Sequence, residues 1–98
     1  MQNLKPMFIY KTLHDHYIIP FMQDKDGYWY CQTFYHNTIT NEIVDQGYFW
    51  YNTNGTCEGI KERNVHQMIA LSNVHPKVRK VIKEWKTEYK RIHKYDKE

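Results

Sequence analysis

Apolar residues along this chain follow two different periods. From Met7 to Tyr51 they come as short runs or alternate with polar residues; from Val78 to Ile92 they recur every three or four positions. The first pattern predicts strands and the second an amphipathic helix. Met7-Phe8-Ile9-Tyr10-Lys11 and Tyr17-Ile18-Ile19-Pro20-Phe21 read as two strands, separated by the polar His14-Asp15-His16. Pro20 has no N–H, so the second strand is expected to lie at an edge or to end there. Asp24-Lys25-Asp26-Gly27 reads as a turn, with glycine available for a positive φ.

A hairpin is predicted from Tyr28 to Asn54. Thr38-Ile39-Thr40 and Ile43-Val44 flank Asn41-Glu42, which reads as a two-residue connection. That turn would set Phe34 opposite Phe49, Tyr35 opposite Tyr48, and Thr33 opposite Trp50. Strand alternation then places Tyr28, Tyr30, Phe34, Phe49 and Tyr51 on one face. Trp29, Cys31, Tyr35, Tyr48 and Trp50 fall on the other. A sheet with one wet face alternates apolar with polar, whereas both faces here are aromatic. Either helices or other strands cover both faces, or the Tyr rings lie flat with their hydroxyls in water, or one face packs the last helix and the other is a contact platform. Exposed aromatics stack bases in single strands and supply anchors in protein interfaces.

Asn52-Thr53-Asn54-Gly55 ends the sheet. Asn64 reads as the cap of a short helix over 64–72, with Val65, Met68 and Ile69 facing inward. Ser72-Asn73 breaks it. Pro76 suits the first turn of a long helix running to about residue 95. Val78, Val81, Ile82, Trp85, Tyr89 and Ile92 form its buried stripe. The expectation is a single α+β domain over 1–98, with an antiparallel sheet of three or four strands at roughly 7–54. A short helix and then a long C-terminal helix, packed on one sheet face, follow it. The order of elements resembles small chromo- or SH3-like folds with a terminal helix, a likeness that implies architecture and no activity.

Charge adds a direction to this picture. His75 to Glu98 carries nine Lys/Arg against four Asp/Glu, a net +5, while residues 1–74 carry five against seven, a net −2. Arg79, Lys83, Lys86, Lys90, Lys94 and Lys97 follow helical spacing beside the apolar stripe, with no acid among them. Glu84 and Glu88 lie on another flank, within reach of Lys80 and Arg91. Clustered cations without partners repel one another unless an anion arrives. Phosphate backbone is the commonest such anion, and an acidic protein groove serves as well. Arg79, Lys83, Lys86, Lys90 and Lys94 are therefore the candidate charge contacts. Tyr28, Tyr30, Phe34, Phe49 and Tyr51 are the candidate contact area.

Composition bounds the rest. The 98 residues allow one core, and an aromatic fraction of 16% helps to build it. No run approaches the ~20 apolar residues of a membrane span. The N-terminal Met1-Gln2-Asn3-Leu4-Lys5-Pro6 has no long apolar stretch of the signal-peptide kind. Cys31 and Cys57 form no CxxC pair and suit a reducing compartment. A cytoplasmic protein is expected. A single Ala against nine Tyr is what an AT-rich genome produces, which suggests a phage or mobile-element protein acting in the host cytoplasm.

Catalytic chemistry is not signalled. The chain has no Gly-rich phosphate loop, GxSxG or HExxH. His14 and His16 would share one side of an extended segment and could begin a metal site. A third ligand would have to come from Asp15, His36, His66 or Cys31, none at a diagnostic spacing. The expected function is a non-enzymatic binding protein without metal or other cofactor. Its partner would be nucleic acid or an acidic, nucleic-acid-handling host protein that it inhibits. A metal-dependent enzyme using His14 and His16 is one alternative. A self-associating structural protein, dimerising through its spare aromatic face, is the other.

Overall fold

The meander predicted by the alternating segments forms, and a fifth strand completes it. A computed structural model describes residues 3–96, with side chains from 3 to 92. β1 (Tyr10–Thr12), β2 (His16–Gln23), β3 (Trp29–His36), β4 (Ile43–Tyr51) and β5 (Val65–Met68) make one sheet in the order β4-β3-β2-β1-β5. Every neighbouring pair is antiparallel. α1 (Pro76–Asp96) follows. The fold is α+β, with five strands rather than three or four.

The short helix expected over 64–72 is absent. Lys61–Arg63 and Leu71–Asn73 are single 3₁₀ turns, and Val65–Met68 between them pairs with β1. Asn64 does not cap a helix: its side-chain Oδ1 accepts the Cys57 N–H at 2.9 Å. Met68, expected inside, is exposed, while Val65 and Ile69 pack against the two cores. The reason is tertiary. β1 would otherwise leave its outer backbone groups unpaired, and four residues laid along it satisfy them.

Hairpin register also differs from expectation. Trp29 pairs Tyr51, Cys31 pairs Phe49, Thr33 pairs Gly47 and Phe34 pairs Asp45. The connection is not Asn41-Glu42 but the whole of residues 37–42. Asn37 builds it, accepting the Ile39 and Thr40 N–H groups on its side chain. Asn41 takes the left-handed conformation at φ 66, which asparagine tolerates. A bulge then shifts the pairing between Thr33 and Phe34. Asp45 Oδ1 holds the bulge by accepting from Gly47 N–H at 2.8 Å and from buried Gln32 Nε2 at 2.7 Å. Gly47 sits at φ 77, where a side chain would be strained.

Pro20 neither ends its strand nor lies on an outer edge. It stands in β2, between β3 and β1, just beyond the last β1 pair. Its carbonyl accepts the Met7 N–H at 2.7 Å, so its nitrogen faces the stretch where β1 has already run out.

Each sheet face carries a core. On one, Leu4 and Cys57 pack over Tyr10, Ile18, Trp29, Cys31 and Tyr51. The chain crosses this face on its way from the β4 edge to the β5 edge. Tyr51 pins the crossing by donating its hydroxyl to the Arg63 carbonyl at 2.8 Å. On the other face, Val78 and Ile82 of α1 pack over Ile9, Tyr17, Ile19 and Phe34. Fully burying an aliphatic side chain of this kind is worth about 1.5–3 kcal/mol. His75 starts the helix: its carbonyl accepts the Arg79 N–H and its Nδ1 accepts the Lys77 N–H. The predicted stripe holds through Trp85. At Ile92 it fails, since that side chain is 47% exposed beyond the sheet.

Candidate functional site

α1 lies along the sheet with chemically different flanks, and the sheet below fixes which way each flank looks. Lys86 Nζ donates to the Met7 carbonyl at 2.8 Å, so its flank faces the N-terminal segment beside β1. Lys77, Lys80, Val81 and Glu84 instead line a cleft of about 480 Å3 with Asn41, Glu42 and Ile43, at the start of β4. β1 and β4 are on opposite sides of β2 and β3.

The basic flank holds Arg79, Lys83, Lys86 and Lys90. Lys83 and Lys90 are exposed, and Arg79 is half-buried. Among the described residues the ion pairs are Lys11–Asp15 and Arg91–Glu88, so none of these four cations has an acidic partner there. Lys86 differs from the others. Burial pushes its pKa down, and the neighbouring Lys90 charge pushes it further in the same direction. It is a tie between the helix and the segment before β1 as well as a member of the row. Lys94 belongs to α1, with its side chain outside the described residues.

The aromatic set does not share a face. Tyr30 and Phe34 lie on the helix side, whereas Phe49 and Tyr51 lie on the crossing side. Phe34 and Tyr51 are buried and cannot supply contact area. Phe49 is roofed by the Arg63 guanidinium, 3.9 Å from its ring centre. Arg63 is oriented there by donating to Gln46 Oε1 at 2.9 Å.

What remains open is a patch along β4. Tyr48 is 62% exposed, and Trp50 and Tyr28 are also exposed. Phe21 joins this patch to the helix, with ring centres 4.9 Å from Tyr48, 5.7 Å from Trp85 and 5.4 Å from Tyr89. Trp50 and Tyr28 line a shallow pocket with Asp24 and Asp26. These carboxylates give the patch a negative border, while the cations stand across the helix. The expected joint surface of basic row and aromatic platform is therefore split by α1 itself.

Sequence reasoning missed one exposed aromatic in the N-terminal segment. Phe8 is 46% exposed, and Lys5 Nζ lies 5.7 Å from its ring centre. Its signal in the sequence was Lys5-Pro6-Met7-Phe8, a four-residue turn closed by Phe8 N–H donating to the Lys5 carbonyl.

The histidine pair is arranged unlike an extended strand. Residues 12–16 form a tight turn around Thr12, whose Oγ1 accepts from His14 N–H and His16 N–H. Asp15 takes φ 65 there and pairs with Lys11. His16 packs beside Tyr35, and its pKa is lowered by burial, then by the Arg63 and His14 charges. Among the described residues no group of three or more His, Cys, Asp or Glu could hold a metal ion. Nor is any described helix long and apolar enough to cross a membrane.

Comparison with family models, with curated proteins and with solved structures finds no match for the chain.

Proposed function

We propose that this chain is a small non-enzymatic binding protein whose basic α1 flank receives a polyanion, with nucleic acid the foremost. The observation that carries this reading is that Arg79, Lys83, Lys86 and Lys90 share one flank of α1 and none of them pairs with an acid among the described residues. Lys86 is depressed first by burial and then by the Lys90 charge, and this second contribution is like-charge repulsion that an arriving anion would relieve. Phosphates relieve it with release of their own counterions. An acidic groove on a nucleic-acid-handling protein is the alternative ligand for the same flank, and blocking such a protein would make the chain an inhibitor. Two buried free thiols fit the reducing cytoplasm expected from the sequence.

The test is a salt titration of binding to generic DNA and RNA, with wild type and a Lys83→Gln/Lys90→Gln variant. Both side chains are exposed, so the fold should be unaffected. Wild-type affinity should fall steeply with salt, and the variant's slope should be shallower by up to about two phosphate contacts. Equal affinity and equal slope would reduce the flank to a solvated helix face.

Self-association is the second reading, favoured by the exposure of Tyr48 and Trp50 on an edge strand. The bulge and Asp45 in the middle of β4 oppose continuous edge-to-edge pairing. Light scattering across a concentration series separates the two readings.

A further inference from the structure

The aromatic patch along β4 is continuous and stays open beside α1. Tyr48 and Trp50 are two apart on one strand and point to the same face. Phe21 lies against Tyr48 there and also meets Trp85 of the helix. Tyr30 is a ring neighbour of both Phe21 and Trp50 and carries the cluster toward the end of the strand. At that end Trp50 and Tyr28 wall the shallow pocket that Asp24 and Asp26 complete. Tyr28, Tyr48 and Trp50 are all exposed. Contiguous exposed aromatics, unlike single ones, mark an interaction site.

The border of the patch selects its partner. Asp24 uses one carboxylate oxygen to accept the Asp26 and Tyr28 N–H groups, and it makes no ion pair among the described residues. The Asp26 side chain has neither a hydrogen bond nor an ion pair there. Lys25, between them in the turn, is exposed and does not line the pocket. Phosphate is repelled at such a border. A cation is drawn to it twice, by the carboxylates and by the negative faces of the rings. Among side-chain cations guanidinium fits best: it is planar, stacks on an aromatic ring and still offers its N–H fork to a carboxylate. The pocket, about 310 Å3, is at the small end of ligand sites and suits a side chain better than a large cofactor. Tyr48, farther along the patch, offers apolar contact to the residues beside that side chain.

We infer that the β4 patch docks a basic segment of a partner protein, seating an arginine against Trp50 and Tyr28 with its charge toward Asp24 and Asp26. A cation site here is independent of the polyanion reading, because the α1 basic flank faces the segment beside β1, on the other side of β2 and β3. The chain would then hold an anion on one side of α1 and a cationic protein segment on the other.

The experiment is an NMR titration of isotope-labelled protein with a Gly/Ser peptide carrying two arginines, and with otherwise identical lysine and glutamine peptides. The proteins are wild type, Trp50→Ala, Asp26→Asn and Lys83→Gln/Lys90→Gln, each checked for a dispersed spectrum. In wild type the arginine peptide should shift the Trp50 indole signal and the amides of residues 24–28 and 48–50, saturably and less at high salt. The lysine peptide should bind more weakly. Trp50→Ala should weaken the arginine peptide by about threefold or more, the scale of one exposed cation–π contact. Asp26→Asn should weaken it too and flatten its salt dependence. The α1 double variant should bind no more weakly than wild type. No shift in the patch, a lysine or glutamine peptide bound as tightly as the arginine one, or Trp50→Ala and Asp26→Asn binding as wild type does, would overturn the inference. So would self-association of the unliganded protein, seen by light scattering and abolished by Trp50→Ala, since the occupant of the patch would then be a second copy.

Discussion

Lys86 and Met7 are 79 positions apart, yet the Lys86 ammonium donates to the Met7 carbonyl at 2.8 Å. This contact joins the last element to the segment before the first strand. It also singles out one lysine from a row that looks uniform in the sequence. Lys86→Ala should lower stability by about 1 kcal/mol, since a charge-assisted bond and stem packing are lost while desolvation is relieved. Lys83→Ala and Lys90→Ala should stay within about 0.5 kcal/mol. Urea melts of the three variants check this, and equal effects would show that the Lys86 tie contributes nothing.

The helix stripe should show a gradient along its length. Ile82 is fully buried, Trp85 is partly covered by Phe21 and Tyr89, and Ile92 is largely exposed. Replacement by alanine should cost about 3 kcal/mol at Ile82, about 2 at Trp85 and under about 0.5 at Ile92. A large loss at Ile92 in thermal melts would mean that the helix end packs on something.

The long helix was legible because its evidence is local: a three/four apolar period behind Pro76. Its basic row was legible as charge. Which lysine is spent on the fold was not, because Lys86 and Lys90 differ only in what lies beneath them. The four meander strands were legible from alternation and turn residues. Their register was not, because it depends on the Asn37 side chain and on the bulge at Asp45 and Gly47. That shift moved Phe49 and Tyr51 across the sheet from Tyr30 and Phe34, and the expected platform dissolved with it. β5 was illegible because Val-His-Gln-Met has no strand period of its own; the open β1 edge makes it a strand.

Thr33 offers a stabilising change. It is buried in the centre of β3, and its hydroxyl has no hydrogen-bond partner among the described residues. Thr33→Val keeps the branched shape and removes the unsatisfied oxygen. Stability should rise by about 1 kcal/mol, and the melting temperature by several degrees. An unchanged or lower melting temperature would show that the hydroxyl is satisfied in solution.

The two thiols should be silent in the folded protein. Burial pushes Cys31 far above the ordinary thiol range and Cys57 upward, each keeping its reactive thiolate scarce. Native protein at pH 8 should react with a disulfide reagent only slowly, and both thiols should react at once in denaturant. Fast labelling of one thiol in the native state would show that the crossing segment, which carries Cys57 and covers Cys31, opens readily.

His16 gives the fold a pH dependence whose sign is fixed by its surroundings. Its side chain sits between Thr12 Oγ1 and the Tyr35 ring. Burial, then the Arg63 and His14 charges, lower its folded pKa, and Asp15 only partly opposes them. The unfolded chain, with an ordinary value of about 6.5, therefore binds this proton more readily than the folded one. Stability is full above that value and declines as pH falls from there toward the lowered folded pKa. Melting temperatures measured from pH 7.5 down to 5 should consequently fall in wild type. In His16→Gln the fall should be shallower, because the group that takes up the proton on unfolding is gone. The backbone N–H of residue 16 still reaches Thr12 Oγ1 in that variant, so the turn itself is retained. Parallel curves for the two proteins would place the acid sensitivity elsewhere and remove His16 as its cause.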